Sequence, residues 1–138
     1  MDALSRKPVI LYAEDDQDDF EAVKEALDQI SNHQTLVHAK NGTEAVAFLE
    51  NSHPIPDLIV LDLNMPIMDG KEVLYWLKAK EQYKNIPIMV FTTSSREDDV
   101  KLCQKYCCTF FRKPTLYRDL LHVAQIMLQL CERAKTNS

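Results

Sequence analysis

Five short apolar runs, each followed by a stretch with helical spacing, constrain this chain more than any other feature. They are Val9-Ile10-Leu11-Tyr12-Ala13, Thr35-Leu36-Val37-His38-Ala39, Leu58-Ile59-Val60-Leu61, Ile88-Met89-Val90-Phe91 and Thr109-Phe110-Phe111. Runs without polar alternation fit strands covered on both faces, as in a parallel sheet. The second run is more mixed, which suits a position nearer a sheet edge. Between the runs the apolar residues recur at three and four. Phe20, Val23, Leu27 and Ile30 form one stripe behind an acidic helix start, and Ala45, Phe48 and Leu49 follow Asn41-Gly42-Thr43. Val73, Leu74 and Leu77 follow Gly70, Arg96 to Tyr106 makes a fourth helix, and Tyr117 to Arg133 a fifth. Strand and helix thus alternate five times, which predicts a doubly wound α/β domain.

The last helix carries more apolar surface than one core face needs. Leu120, Val123, Ala124, Met127 and Cys131 make a stripe, and Tyr117, Leu121 and Leu128 widen it. Either the excess is a few exposed apolar residues, which are common, or it is a surface for a partner or a second copy.

Size and composition set outer bounds. A chain of 138 residues has room for one core, and 46% hydrophobic with 27% charged residues is the balance of a globular protein. The formal charge of −5 gives no field to attract nucleic-acid phosphates or anionic lipid. The apolar runs are too short to cross a bilayer, and Met1 to Pro8 lacks the apolar stretch of a signal peptide. The expected setting is therefore cytoplasmic, with no nucleic acid and no membrane among the partners. The ends, Met1–Lys7 and Ala134–Ser138, read as loose tails.

Cys103, Cys107, Cys108 and Cys131 are even in number, but nothing indicates secretion. Cys103 and Cys107 share a helix face, yet no CxxC or HxxxH pair completes a zinc site, and His33, His38, His53 and His122 are scattered. Buried small hydrophobes are the better reading of the cysteines.

Chemistry in a parallel α/β sheet gathers beyond the carboxyl ends of its strands, where strand order reverses. The first strand here ends in Glu14-Asp15-Asp16, the third in Asp62 before Leu63-Asn64-Met65-Pro66, the fourth in Thr92-Thr93-Ser94, and the fifth leads to Lys113-Pro114. Two carboxylates about 4 Å apart at an effective dielectric near 20 repel by about 4 kcal/mol, enough to force protonation or recruit a cation. Mg²⁺, with Mn²⁺ as a substitute, suits a site of one or two carboxylates that also meets a phosphate oxygen. Lys113 can neutralise a phosphate or pair with Asp62, and the Thr92 hydroxyl can donate to a phosphoryl oxygen. The set suits phosphoryl transfer with Asp62 as nucleophile. Each piece alone has an ordinary role: Asp16, Asp18 and Asp19 can cap a helix, and an aspartate after a strand is commonly a turn residue.

In order and spacing, the motifs ILYAEDD, DLIVLDLNMPIMDG, IPIMVFTTS and FFRKP resemble the receiver domains of two-component response regulators, over about Val9 to Arg133. The resemblance implies a flavodoxin-like (βα)5 fold with a parallel five-stranded sheet of order 2-1-3-4-5, one receiver domain over 1–138 with its core at about 9–133. It implies that Asp62 is phosphorylated by a sensor histidine kinase or a histidine phosphotransfer protein. It makes Asp15 and Asp62 direct Mg²⁺ ligands, with Glu14 acting through water and the Asn64 backbone carbonyl as the third protein ligand. Thr92 matches the switch hydroxyl, Lys113 the motif lysine and Phe110 the switch aromatic. Thr93 stands where the family often has Ala or Gly, and Glu14 replaces the commoner Asp. LDLNMP and TTSSREDDV, with no output domain for DNA binding, resemble the small regulators associated with bacterial phytochromes.

Two other activities fit the residues less well. Hydrolases of the aspartyl-phosphate type place a second acid two residues after the nucleophile, where this chain has Asn64, which cannot supply the proton. A flavodoxin needs a Ser-, Thr- and Gly-rich phosphate loop after the first strand, where this chain has Glu14-Asp15-Asp16-Gln17-Asp18 and only 2 Gly in all. An adaptor that works unphosphorylated would have no use for the complete acidic set.

Overall fold

The computed structural model describes residues 6–51, 54–94 and 96–137. Ten elements alternate without exception: β1 Val9–Ala13, α1 Gln17–Ile30, β2 Thr35–Ala39, α2 Gly42–Asn51, β3 Leu58–Leu61, α3 Gly70–Lys78, β4 Ile88–Thr92, α4 Glu97–Lys105, β5 Thr109–Arg112 and α5 Tyr117–Asn137. All strand pairs are parallel and the sheet order is β2-β1-β3-β4-β5. The flavodoxin-like topology expected from the motifs is therefore the fold of this chain.

Strand residues point alternately to the two faces, and each face has its own core. Ile10, Tyr12, Leu58, Val60, Met89 and Phe91 pack with Phe20, Val23 and Leu27 of α1 and Val123, Ala124 and Met127 of α5. Leu11, Ala13, Ile59, Leu61 and Ile88 face the other way, against Ala45 and Leu49 of α2 and Val73, Leu74 and Leu77 of α3. A smaller cluster joins Leu63, Val90 and Cys103 of α4. This two-sided burial is why the strands read as unbroken apolar runs.

Several sequence expectations need correction. Ile30 ends the α1 stripe 37% exposed, and Ala26 takes its place in the core. Phe48 is only half-buried. β4 runs one residue further, to Thr92, and β5 to Arg112. The α5 helix continues past Arg133 to Asn137, so most of the expected C-terminal tail is helical. At the other end Arg6 is pinned, since its guanidinium grips Asp57 at 2.6 and 2.9 Å, and the same carboxylate accepts from the Val9 N–H at 2.8 Å. Of the cysteines, Cys103 and Cys131 are buried as expected, but Cys107 is exposed and Cys108 half-buried. His53, and residues 1–5 of the expected N-terminal tail, lie outside the described residues. On α5, Val123, Ala124, Met127 and Cys131 are buried, while Leu120, Leu121 and Leu128 are partly covered and Tyr117 is 45% exposed.

One buried acid ties the α4 end of the molecule together. Asp99 of α4 is 2% exposed, accepts from the Ser94 hydroxyl at 2.6 Å and pairs with Lys71 of α3 at 3.0 Å. Burial works against its charge, but the bonds from Ser94 and Lys71 outweigh it and hold the carboxyl below the ordinary range. A carboxyl lowered by folding stabilises the folded state above its unfolded pKa, and that contribution fades as pH falls through its folded value. Replacing Asp99 with Ala should cost about 1–3 kcal/mol at neutral pH, as expected when buried partners are left unmatched. The difference between variant and wild type should shrink in denaturant titrations carried below pH 4, the window set by this lowered carboxyl.

Candidate phosphoryl-acceptor site

Strand order reverses at β1, since the chain steps out to β2 and then returns across β1 to β3. The crevice of a doubly wound sheet lies beyond the carboxyl ends of the strands at that point. Register then dictates which residues meet. Ala13 is paired with Leu61, so the next residues, Glu14 and Asp62, leave the sheet side by side, and the Asp62 N–H donates to the Ala13 carbonyl at 3.1 Å. Thr92 is paired with Arg112, so Lys113 leaves β5 beside β4, its N–H donating to the Thr92 carbonyl at 2.8 Å.

The Lys113 ammonium is the centre of the cluster. Its Nζ lies 2.6 Å from Glu14 Oε1, 2.7 Å from Asp19 Oδ2 and 2.9 Å from Asp62 Oδ2. The Glu14 side chain is 1% exposed, that of Asp62 7% and that of Lys113 11%. Glu14 is also held by the Tyr12 hydroxyl, which donates to Oε1 at 2.9 Å, and by the Asp16 N–H, which donates to Oε2 at 3.2 Å. Its backbone carbonyl meets His38 Nε2 at 2.7 Å, and the His38 ring stacks on Phe20 with centroids 3.8 Å apart. Asp62 Oδ1 accepts from the Asn64 N–H at 3.1 Å.

These contacts set the ionisation of the site. Burial pushes the Glu14 carboxyl up to about 7, opposed by the Lys113 bond and assisted by the charge of Asp62. Burial also works against the Lys113 charge, but bonds from Asp19, Glu14 and Asp62 hold the ammonium well above the ordinary lysine range. Burial and the neighbouring Glu14 charge raise the Tyr12 hydroxyl far above physiological pH, so it acts as a donor.

Glu14, Asp15 and Asp62 each bring a carboxylate oxygen to within 4.8 Å of the others. Asp15 is exposed while the other two are buried, so the group opens to solvent on one side. Three hard oxygen donors with an open side fit a divalent ion of the Mg²⁺ or Mn²⁺ kind. Thr92 is wholly buried, and its hydroxyl accepts from the Ser94 N–H at 3.3 Å. Asn64 and Thr93 are exposed, and Phe110 is half-buried against Leu63, Val90 and Cys103. Of the predicted set, Glu14, Asp62 and Lys113 are in direct contact, Asp15 lies against them, and Phe110 stands apart.

Asp19 is the participant that sequence reading left as a helix-capping acid. It sits in the first turn of α1, one turn after the Asp16 N-cap, and reaches Lys113 just past the end of β5. Only the placement of α1 beside the end of β5 distinguishes it from Asp18.

The sequence profile of the response regulator receiver domain matches residues 10–125. The chain belongs to that family. It is 45% identical over 98 residues to response regulator Rcp1 of Synechocystis sp., a match covering 67% of this chain and 66% of that protein, just under two thirds of its length. The crystal structure of the Mn²⁺-bound form of Rcp1 superposes with a TM-score of 0.77 at 36% identity, over 86% of this chain and 89% of that one. The phosphorylated cyanobacterial phytochrome response regulator RcpA superposes with a TM-score of 0.82 at 30% identity, over 89% of this chain and 92% of that one. The expected similarity to phytochrome-associated regulators is thus met in the likeness to RcpA. No helix among the described residues is long and apolar enough to cross a membrane.

Two substitutions probe this arrangement. A Cβ on Gly70, the first residue of α3, would collide with the backbone carbonyl oxygen of Asp62. Gly70→Ala should therefore push α3 off the end of β3 and cost about 1–3 kcal/mol, measured by chemical denaturation. Lys113→Met leaves Glu14 and Asp62 buried without their counter-charge, at a cost of about 3 kcal/mol for breaking a buried ion pair. Its midpoint should fall furthest in chelator and recover on adding Mg²⁺ by more than the wild type does.

Proposed function

We propose that this chain is a phospho-accepting receiver of a two-component phosphorelay, acting in the cytoplasm. A sensor histidine kinase or a histidine phosphotransfer protein would be the donor and Asp62 the acceptor. The observation that carries this reading is the contact of Lys113 Nζ with both Asp62, at 2.9 Å, and Glu14, at 2.6 Å, beside Asp15 at the reversal point of the sheet. A buried carboxylate paired with a mobile ammonium, in a cluster that opens to solvent at Asp15, would be poised to exchange that partner for a phosphoryl group.

In the proposed reaction an Asp62 carboxylate oxygen forms a bond to phosphorus as the phosphorus–nitrogen bond of the donor's phosphohistidine breaks, and the imidazole nitrogen keeps the electron pair. Lys113 turns from the carboxylate to a phosphoryl oxygen without leaving the cluster, since Asp19 and Glu14 still hold it. Thr92 donates its hydroxyl to a second phosphoryl oxygen. Asp15 and Asp62 directly, Glu14 through water and the Asn64 carbonyl would hold Mg²⁺, or Mn²⁺ in its place. The ion, when bound, supplies charge neutralisation at the transferred group. The same site would return the phosphoryl group to water, the only hydrolysis proposed for it.

The new charge at Asp62 would draw Thr92 inward and let Phe110 repack, changing the face made by α4, β5 and α5. Residues 1–138 act in this reading as one receiver domain with its core at about 9–133. The output is contact with another protein, including a second copy of the chain through the partly covered Leu121 and Leu128 of α5, and it involves no nucleic acid or membrane.

Acetyl phosphate with Mg²⁺ should add one phosphoryl group to the wild type by intact mass and none to Asp62→Asn. Beryllofluoride with Mg²⁺ should protect the wild type alone against thermal unfolding, by about 2.7 kcal/mol at a hundredfold excess over its dissociation constant. Equal labelling of the two proteins would overturn the assignment of Asp62.

A further inference from the structure

The end of α4 brings two thiols together in a way the phosphoryl site does not use. The helix closes with Cys107 in the left-handed region, at φ 58. The Cys107 N–H donates to the Gln104 carbonyl at 3.2 Å, and the Cys108 N–H reaches back to the Cys103 carbonyl at 2.9 Å. This pair of bonds is a Schellman ending, which wraps the chain so that the side chains flanking it touch. In a continuous helix residues five apart are separated by about 7.5 Å of rise, beyond the roughly 4.4–6.8 Å that a disulfide tolerates between α-carbons. The left-handed residue folds the chain back, and the 2.9 Å bond from the Cys108 N–H to the Cys103 carbonyl holds the two residues together there. Cys108 packs against the buried Cys103 in the small cluster with Leu63, Val90 and Phe110.

We propose that Cys103 and Cys108 form a reversible dithiol–disulfide pair, oxidised by a peroxide. The Cys108 sulfur attacks the terminal oxygen of hydrogen peroxide, breaking the oxygen–oxygen bond to give a sulfenic acid and water. Cys103 sulfur then attacks the Cys108 sulfur, and the sulfenic oxygen leaves as a second water. Two thiols are oxidised, one peroxide is reduced to two waters, and a small dithiol reverses the step by exchange. Two features assign the roles. Cys108 is half-buried and so reachable, while Cys103 is enclosed. The Cys108 thiol donates to the Tyr106 carbonyl at 3.8 Å, and its contact with Cys103 holds it below its ordinary range, with burial opposing and the charge of Lys78 assisting, whereas that contact and burial raise Cys103.

The neighbouring Cys107 is the exposed competitor, but its geometry is wrong for either partner. Consecutive α-carbons across a trans peptide stand about 3.8 Å apart, inside the lower limit for a disulfide. Its exposed side chain also points to water rather than toward enclosed Cys103. The bond would fasten the C-terminal end of α4 to the start of β5, beside Phe110, so this pair would set the shape of that face by redox state.

The test treats the purified full chain with stoichiometric hydrogen peroxide, removes the peroxide, blocks the remaining thiols with a maleimide in denaturant so that buried Cys131 is also labelled, and maps peptides by mass spectrometry without reduction. Two of the four cysteines should escape the maleimide, joined as Cys103–Cys108 within one chain, and dithiothreitol should restore both. Cys107→Ser should give the same result, while Cys108→Ser should retain every remaining thiol. A Cys107-containing linkage, a bond only between chains, or full maleimide labelling of the wild type would each overturn the proposal. Because the map is read on the wild type, it stands even if a Cys103 variant fails to fold, and it is independent of whether Asp62 accepts a phosphoryl group.

Discussion

Three carboxylates converge on one ammonium, and the carboxyl end of this sheet is built around that fact. Glu14, Asp19 and Asp62 come from the ends of β1 and β3 and the first turn of α1, and Lys113 reaches all three within 2.9 Å. Without the lysine, two buried acids would stand next to one another in a region where water cannot separate their charges. With it, three carboxylates still outnumber one ammonium, and Asp15 adds a further carboxylate at the open side. The residual charge is the physical basis for a cation site, and the mobility of a lysine head group is what the proposed exchange of a carboxylate partner for a phosphoryl oxygen would use.

The scaffold makes that convergence unavoidable. Parallel pairing of β1 with β3 and of β4 with β5 sets Glu14 beside Asp62 and Thr92 beside Lys113 by register alone. Close approach does the rest. Gly70 lets α3 start hard against the Asp62 carbonyl, and Gly42 lets α2 start against Met68. On the far side of Thr92, the buried Asp99 grips Ser94 and Lys71, so Ser94 is tied to both α3 and α4. A change at Thr92 would therefore reach α4 through Ser94 and Asp99, and the other end of that helix is the Schellman turn of Cys107 beside Phe110. The phosphoryl site and the thiol pair would thus act on the same helix from opposite ends.

Much of this was legible in the residues. The five apolar runs located every strand to within one residue, because strands covered on both faces leave no polar alternation to confuse with a helix. Their closing residues pointed to the cluster that Glu14, Asp15, Asp62 and Lys113 form, since ligands of a doubly wound sheet bind beyond its carboxyl ends. What stayed hidden depends on contacts between distant segments. Asp19 reads like Asp18 until α1 is laid beside the end of β5. Arg6 reads as tail until Asp57 is buried beneath it. Ile30 fits the apolar stripe of α1, but the helix ends before the sheet can cover it. Cys107 reads as one more small apolar residue, and only the backbone shows that it sits in a conformation usually left to glycine.

The central claim is that these acids share one point in space and need a cation there. Crystals of the unphosphorylated protein grown with Mn²⁺ and measured at the manganese absorption edge test it most directly. The account predicts a single strong anomalous peak bounded by Asp15, Asp62 and the Asn64 carbonyl, with Lys113 still in contact with Glu14. A peak elsewhere, or carboxylates that hold apart with no ion between them at saturating Mn²⁺, would contradict it.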